Sequence, residues 1–302
     1  MVDSSIENSF TKDLENTNNL DNFFVEKLYG SNWNQMLKIS KVLFEGKSKF
    51  QDILIFENSI FGKVLALDNV LQTTENDEFI YHEMLTHVPI LSHGNVKKVL
   101  IIGGADGGIL REVLLHKSIE KATMVEIDGI ALDACKKHMP KLSNGAFSDP
   151  KSEVIIADGI DYVKNTKEKF DIIIVDSTDP VGPGIVLFTK EFYTYCKKAL
   201  NPDGIIVTQN GVPFAQGQEL VDTYNTRKKI FEDNRFYIAP VFGYIGGFMA
   251  LGWATDSKKH FNVSIDTLKK AILDLPNEMK YYTPEVHKAS FQLPMYIQNK
   301  LK

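Results

Sequence analysis

An apolar run that stops at a glycine cluster constrains this chain most. Val99-Leu100-Ile101-Ile102 leads into Gly103-Gly104-Ala105-Asp106-Gly107-Gly108, and the helix-like stretch Ile109-Leu110-Arg111-Glu112-Val113 follows at once. Strand, tight turn and helix in that order open a Rossmann-type α/β unit. Glycines there allow positive φ and let a ligand approach the backbone closely. Asp106 is the odd residue, because a pyrophosphate at this helix N-terminus would be repelled by it. The turn suits a ligand with cationic or hydroxyl groups, which disfavours a nicotinamide dehydrogenase.

The chain after the turn keeps the same rhythm. Strands are expected at 97–102, 122–127, 153–157, 170–175 and 204–209, with helices between them at 109–116, 129–138, 159–166 and 189–199. Such alternation predicts a mostly parallel sheet covered on both faces. Asn201-Pro202-Asp203-Gly204 reads as a turn before the fifth strand. Stretches 235–241 and 247–255 read as a terminal hairpin joined by a Gly243–Gly247 loop, and Ser264 to Leu275 as an amphipathic helix capped by Ser264. Ahead of the turn, short β-rich runs over 36–73 predict a small antiparallel sheet. Glu75 to Leu91 reads as a helix that Pro89 breaks or kinks. Residues 1–20 are polar and read as a disordered tail. The expected domains are thus 21–75, an N-terminal β domain, and 76–302, a Rossmann-like catalytic domain.

Acids recur where ligands of such a sheet bind, beyond the carboxyl ends of the strands. Asp106 follows the first strand, Glu126 and Asp128 end the second, Asp158 the third and Asp176 the fourth, with Asp179 three residues on. Any one of them could be a helix cap. Several together would repel one another unless something cationic binds there. Glu126 lies twenty residues after Asp106, the spacing at which an acid bonds both ribose hydroxyls of a nucleoside. Asp158 and Gly159 could set a carboxylate and a backbone amide against an adenine edge. The Pro- and Gly-rich segment Asp176–Gly184 has the makings of a lid.

Composition removes other classes. A formal net charge of −5 gives no basic surface for nucleic acid. No apolar stretch is long enough to span a bilayer and no signal-peptide core is present, so a cytoplasmic protein is expected. Cys135 and Cys196 form no zinc or redox pair, and the seven His show no metal-ligand spacing.

At these residues the chain resembles the polyamine aminopropyltransferase family, its bacterial branch most, from about Trp33 to Leu301. The matching stretches include Gln51-Asp52-Ile53-Leu54, Leu71-Gln72-Thr73-Thr74-Glu75, Asp77–Met84, the glycine turn, Val125-Glu126-Ile127-Asp128, Asp176–Pro183 and His287–Pro294. The resemblance implies a methyltransferase-type Rossmann-like fold behind a small antiparallel β domain, in a homodimer or homotetramer. It implies transfer of an aminopropyl group from decarboxylated S-adenosylmethionine, a co-substrate, to putrescine, giving spermidine and methylthioadenosine, without metal or bound cofactor.

Carried over residue by residue, the resemblance gives Asp106 the amine of the donor's aminopropyl arm, helped by Asp176. Glu126 takes the ribose hydroxyls, Asp158 the adenine amino group with Gly159 near the ring, and Gln51 the nucleoside end. Gln72 lies near the donor, and His82 approaches the donor tail or the acceptor groove. Tyr81, Asp179 and Tyr244 line the diamine groove, with Gln209 and Trp33 near its far end. Asp176 is the proton acceptor beside the attacking amine. The family usually has a third glycine where this chain has Ala105, and a negative φ there would preserve activity.

Two other readings share the fold: an S-adenosylmethionine-dependent diamine N-methyltransferase, and a non-catalytic binding paralogue. Asp106 opposes the first, since a methyl donor carries an α-carboxylate. Retention of both Asp176 and Asp179 opposes the second. Acceptor length stays open among putrescine, cadaverine, diaminopropane and spermidine, because a methylene in an apolar groove is worth only about 1–3 kcal/mol.

Overall fold

The computed structural model describes residues 22–30, 32–179, 182–275 and 279–302. The expected tail, 1–20, lies outside the described residues, as do Pro180 and Val181 of the expected lid.

Thirteen strands are described. β1 (Phe23–Val25) and β2 (Met36–Lys38) form an antiparallel pair. β3 (Lys41–Lys47), β4 (Asp52–Asn58), β5 (Gly62–Leu67) and β6 (Val70–Thr74) form an antiparallel meander. The remaining seven make one sheet: β7 (Lys98–Gly103), β8 (Lys121–Glu126), β9 (Ser152–Ile156), β10 (Phe170–Asp176), β11 (Leu200–Gln209), β12 (Asp233–Pro240) and β13 (Phe248–Thr255), in the order β12-β13-β11-β10-β7-β8-β9. β11 through β9 are parallel and the β12–β13 hairpin is antiparallel to them. The fold is a methyltransferase-like α/β fold with a small antiparallel sheet at its N-terminal end.

Side-chain alternation assigns the two faces. Val99 and Ile101 of β7 and Ile172 and Ile174 of β10 pack with helix α1 (Glu78–His93) and α2 (Gly108–Leu114). Leu100, Ile102, Ile173 and Val175 point the other way, onto α5 (Gly159–Asn165) and α6 (Lys190–Ala199). Between these two helix pairs in the chain lie α3 (Gly129–His138) and α4 (Pro140–Ser143), and Ala131 and Cys135 of α3 pack on Ile53 and Ile55 of β4. Both sheet faces are buried, which is why the central strands read as unbroken apolar runs.

Three local expectations need adjustment. Helix α1 starts at Glu78, not Glu75, because Asp77 turns back to accept from Thr74 Oγ1 and the Gly243 amide, each at 2.6 Å. It also continues through Pro89 to His93. Fourteen of its residues are buried, and packing on nearly every side holds it across the missing N–H. Asn201–Gly204 is not a turn before β11 but an irregularity inside it: Leu200 pairs with Phe170 and Ile205 with Ile172. Asp171 anchors that end of the sheet by accepting from the Lys97 and Lys98 amides and Asn201 Nδ2.

Further helices follow: α7 (Gly217–Lys228), α8 (Ile265–Ile272), α9 (Pro284–Ser290) and α10 (Met295–Lys300). Ser264 caps α8 by accepting from the Thr267 amide. Among the described residues, no helix is long and apolar enough to cross a membrane.

Candidate active site

From β7 the chain winds outward to β8 and β9 on one side, and from β10 to β11 on the other. The boundary between β7 and β10 is the topological switch point, where open α/β sheets leave a crevice for ligands. Gly103, the last residue of β7, pairs in register with Asp176, the last of β10. Gly103 has φ +85°, and a Cβ there would stand 2.1 Å from the Asp176 carbonyl oxygen. Only glycine lets the turn press against Asp176 this closely. Ala105 is not among the residues with positive φ, so its methyl costs no backbone strain.

One cleft opens at this point. Asp106, Glu126, Asp158, Asp176 and Asp179 all line it, with Gln51, Gln72, Tyr81, His82, Gly159, Gln209 and Tyr244. The acids that end four consecutive parallel strands are thereby brought into one space. Trp33 is the exception. It is 40% exposed and stacks on Tyr29 with centroids 5.7 Å apart. Tyr29 is the ring that reaches the cleft wall, and Trp33 stands one layer behind it.

Asp176 Oδ1 accepts from the Tyr81 hydroxyl at 2.7 Å. Burial, and then the nearby Asp106, push its pKa up to about 6, although His82 and Tyr81 pull it down. Burial works against ionisation of Asp106 as well, but His82 and the Gly108 amide outweigh it and its pKa is lowered. Two neighbouring carboxylates are thus set apart, one held as the anion and one poised to take a proton. Glu126 accepts from the Asp128 amide at 2.8 Å, yet burial pushes its pKa up to about 7, with Asp128 and Asp176 adding to the rise.

Asp158 lines the cleft and also caps α5, accepting from the Ile160 amide. Asp128 is a cap and a tie, not a cleft residue. It is buried, and it accepts from two α3 amides, Ser48 Oγ and Gln51 Nε2. That last bond fixes Gln51 at this end of the cleft.

The other end is polar too. Gln209 Nε2 donates to Asp179 Oδ1 at 3.0 Å, and Gln209 Oε1 is buried without a partner. Burial raises the Asp179 pKa. The Tyr244 hydroxyl donates to the Gln72 carbonyl at 2.6 Å, and its ring meets Tyr81 edge-on. Glu26, Tyr29 and Gln216 also line this end and were not among the residues expected from the sequence. Glu26 is 2% exposed, and burial raises its pKa, with Asp179 contributing. No strand-end rule points to Glu26, since it reaches the cleft from the segment after β1.

A family profile described as "Spermine/spermidine synthase domain" matches residues 78–267, and one described as "Spermidine synthase tetramerisation domain" matches residues 23–75. The chain belongs to the spermine/spermidine synthase family. Among curated relatives, a polyamine aminopropyltransferase of a Ruegeria species is 51% identical over 95% of this chain and 98% of its own. That of Shigella sonnei is 48% identical over 88% of this chain and 93% of its own. A spermidine synthase crystallised with the transition-state analogue AdoDATO superimposes with a TM-score of 0.88 at 42% identity, covering 92% of this chain and 94% of that one. The Thermotoga maritima spermidine synthase gives 0.86 at 41% identity, with the same coverage. The family's members are aminopropyltransferases, and the strand-end acids of this chain lie on the cleft of a family fold.

Proposed function

We infer that this chain makes spermidine by moving the aminopropyl group of decarboxylated S-adenosylmethionine onto putrescine, releasing methylthioadenosine. The observation that carries the reading is the pair Asp106 and Asp176 at the switch point, one held ionised and the other poised near neutral pH. Asp106 receives the ammonium of the donor's arm. Glu126 takes the ribose hydroxyls, and Asp158 with Gly159 takes the adenine edge beside Gln51. The diamine lies between Tyr81 and Tyr244 with its far ammonium toward Asp179, Gln209 and Glu26. No metal or bound cofactor has a part, and an oligomer acting in the cytoplasm completes the reading.

The chemistry is a single displacement at the carbon beside a sulfonium, and its nucleophile must be a neutral amine. A free alkylammonium titrates near ~10.4 and an ordinary Asp near ~3.9, a gap of roughly 9 kcal/mol. With Asp176 at about 6 the gap narrows to roughly 6 kcal/mol. The adjacent sulfonium and aromatic walls disfavour the ammonium and close more of it. Asp176 accepts the proton as the C–N bond forms. The rest is alignment of amine, carbon and sulfur.

Product analysis tests the function. Purified protein offered decarboxylated or ordinary S-adenosylmethionine against a panel of diamines should yield methylthioadenosine and spermidine only with the decarboxylated donor, and best with putrescine. S-adenosylhomocysteine with a methylated amine would establish the methyltransferase reading instead.

A second expectation concerns pH. Asp176 and Glu126 must both be ionised, and their pKa values are raised to about 6 and about 7. Protonation as pH falls through those values removes the base and weakens the ribose contact. Measured at saturating diamine, kcat/KM for the donor should fall below pH ~7 with a limiting slope between one and two. A profile flat down to pH ~5 would contradict both assignments.

A further inference from the structure

Behind Asp106 lies a buried chain of alternating charges that the proposed reaction does not use. His82 Nε2 is 3.5 Å from Asp106 Oδ2, and its Nδ1 is 2.5 Å from Glu78 Oε2. Arg111 Nη2 binds the same Glu78 oxygen at 2.8 Å and Glu112 Oε1 at 2.7 Å. Glu112 Oε2 in turn meets His87 Nε2 at 3.0 Å. Glu78 and His82 sit one turn apart on α1, while Arg111 and Glu112 belong to α2.

A neutral imidazole has one N–H and one lone pair, and a lone pair facing a carboxylate is repelled. Both ring nitrogens of His82 face carboxylates, so both carry protons. The ring packs closely over the α2 N-terminus, where a Cβ on Gly108 would lie 2.2 Å from it. The groups facing His82 are Glu78 on its own helix, Asp106 on the turn, Asp176 at the end of β10 and the Tyr81 ring, with Arg111 behind Glu78. Burial opposes the charge on His82, but Asp106 and Glu78 outweigh it and its pKa is raised well above the ordinary value.

We propose that Glu78 is a positioning residue for the aminopropyl arm of the donor: by holding His82 as a fixed imidazolium against Asp106, it keeps the Asp106 carboxylate charged and aimed into the cleft. Arg111 completes the device by fixing Glu78 from the other side. This rests on the role given to Asp106 above. It adds that the charge state of the donor-arm site is set from behind the cleft wall, by Glu78 and Arg111 acting through His82, which itself lines the cleft.

The first test needs no variant and no substrate. In the ¹⁵N NMR spectrum of the free protein at about pH 8, both ring nitrogens of His82 should be protonated. A single-protonated His82 at that pH would overturn the proposal. This readout is independent of turnover, so failure of the proposed reaction is detected separately, by absence of methylthioadenosine formation in the wild type.

The second test is Glu78→Gln. kcat/KM for decarboxylated S-adenosylmethionine should drop at least tenfold, and its acid limb should move up by about one pH unit as Asp106 and Asp176 lose the neighbouring cation. Methylthioadenosine lacks the arm, so its Kd should stay within about twofold. Equal loss of affinity for methylthioadenosine would mean that Glu78 merely supports the fold, and would overturn the proposal.

Discussion

Asp176→Asn is expected to lower kcat by about three orders of magnitude while leaving methylthioadenosine affinity within a fewfold of wild type. Asparagine keeps the shape of aspartate, and its carbonyl oxygen can still accept from the Tyr81 hydroxyl, which lies 2.7 Å from Oδ1 in the native protein. The turn against Gly103 is made by the backbone of residue 176, so the register of β7 and β10 is untouched. What disappears is the capacity to take a proton. A positioned base is worth about 10²–10⁴ in rate, and asparagine has no protonation state to replace it. Loss of the negative charge also removes the repulsion that Asp106 exerts on this site, so ground-state binding of the nucleoside should not suffer. Single-turnover rates with saturating donor, set beside a titration with methylthioadenosine, separate the two quantities. Parallel losses in rate and nucleoside affinity would show that Asp176 holds the site together instead of serving as its base.

The central sheet was legible because its physics is one-dimensional. Apolar runs such as Ile172–Val175, bounded by Asp171 and Asp176 and alternating with helical stretches, read as buried parallel strands with ligand-facing ends, and the strand-end rule then brings Asp106, Glu126, Asp158 and Asp176 to one crevice. What escaped depends on distant packing. Glu26 and Tyr29 reach the cleft because the segment around β1 folds back beside β6, where the Leu71 amide donates to Glu26 Oε1, and no local pattern announces that. The resemblance puts Trp33 near the far end of the groove, where it stacks behind Tyr29. Helix α7 is easily missed, since it is polar around most of its circumference and buries only Gly217, Leu220, Thr223 and Arg227. At Pro89 tertiary burial overrides the break that propensity allows, and the helix runs on to His93. Asp128 looked like its neighbour Glu126 in sequence; only the direction of its side chain, toward the α3 amides and Ser48, makes it a cap. The relay from Glu78 to His87 was out of reach for the same reason, since it needs ring orientations across two helices.

Donor choice is where Asp106 should matter most. Asp106→Asn is expected to cut kcat/KM for decarboxylated S-adenosylmethionine by about 10–10², and to narrow the preference over ordinary S-adenosylmethionine by a similar factor. The carboxylate is 8% exposed, pinned by the Gly108 amide at 2.6 Å and flanked by His82, so it meets a ligand charge with little water between them. A buried charge-assisted pair with the arm's ammonium is worth about 1.5–3 kcal/mol. The ordinary donor adds an α-carboxylate beside that ammonium. In the wild type this group would face Asp106 and Asp176 together, and a buried like-charge contact is costly. Asparagine offers an N–H in place of one oxygen, so the penalty on the carboxylate falls and the selectivity is compressed, while the weaker bond to the ammonium is common to both donors and lowers both alike. His82 remains beside residue 106 as a cation that favours a carboxylate further. Competition titrations of the variant with both donors measure the ratio directly. An undiminished preference for the decarboxylated donor would mean that the carboxylate is excluded by shape alone, and the role of Asp106 would have to pass to another residue of the cleft.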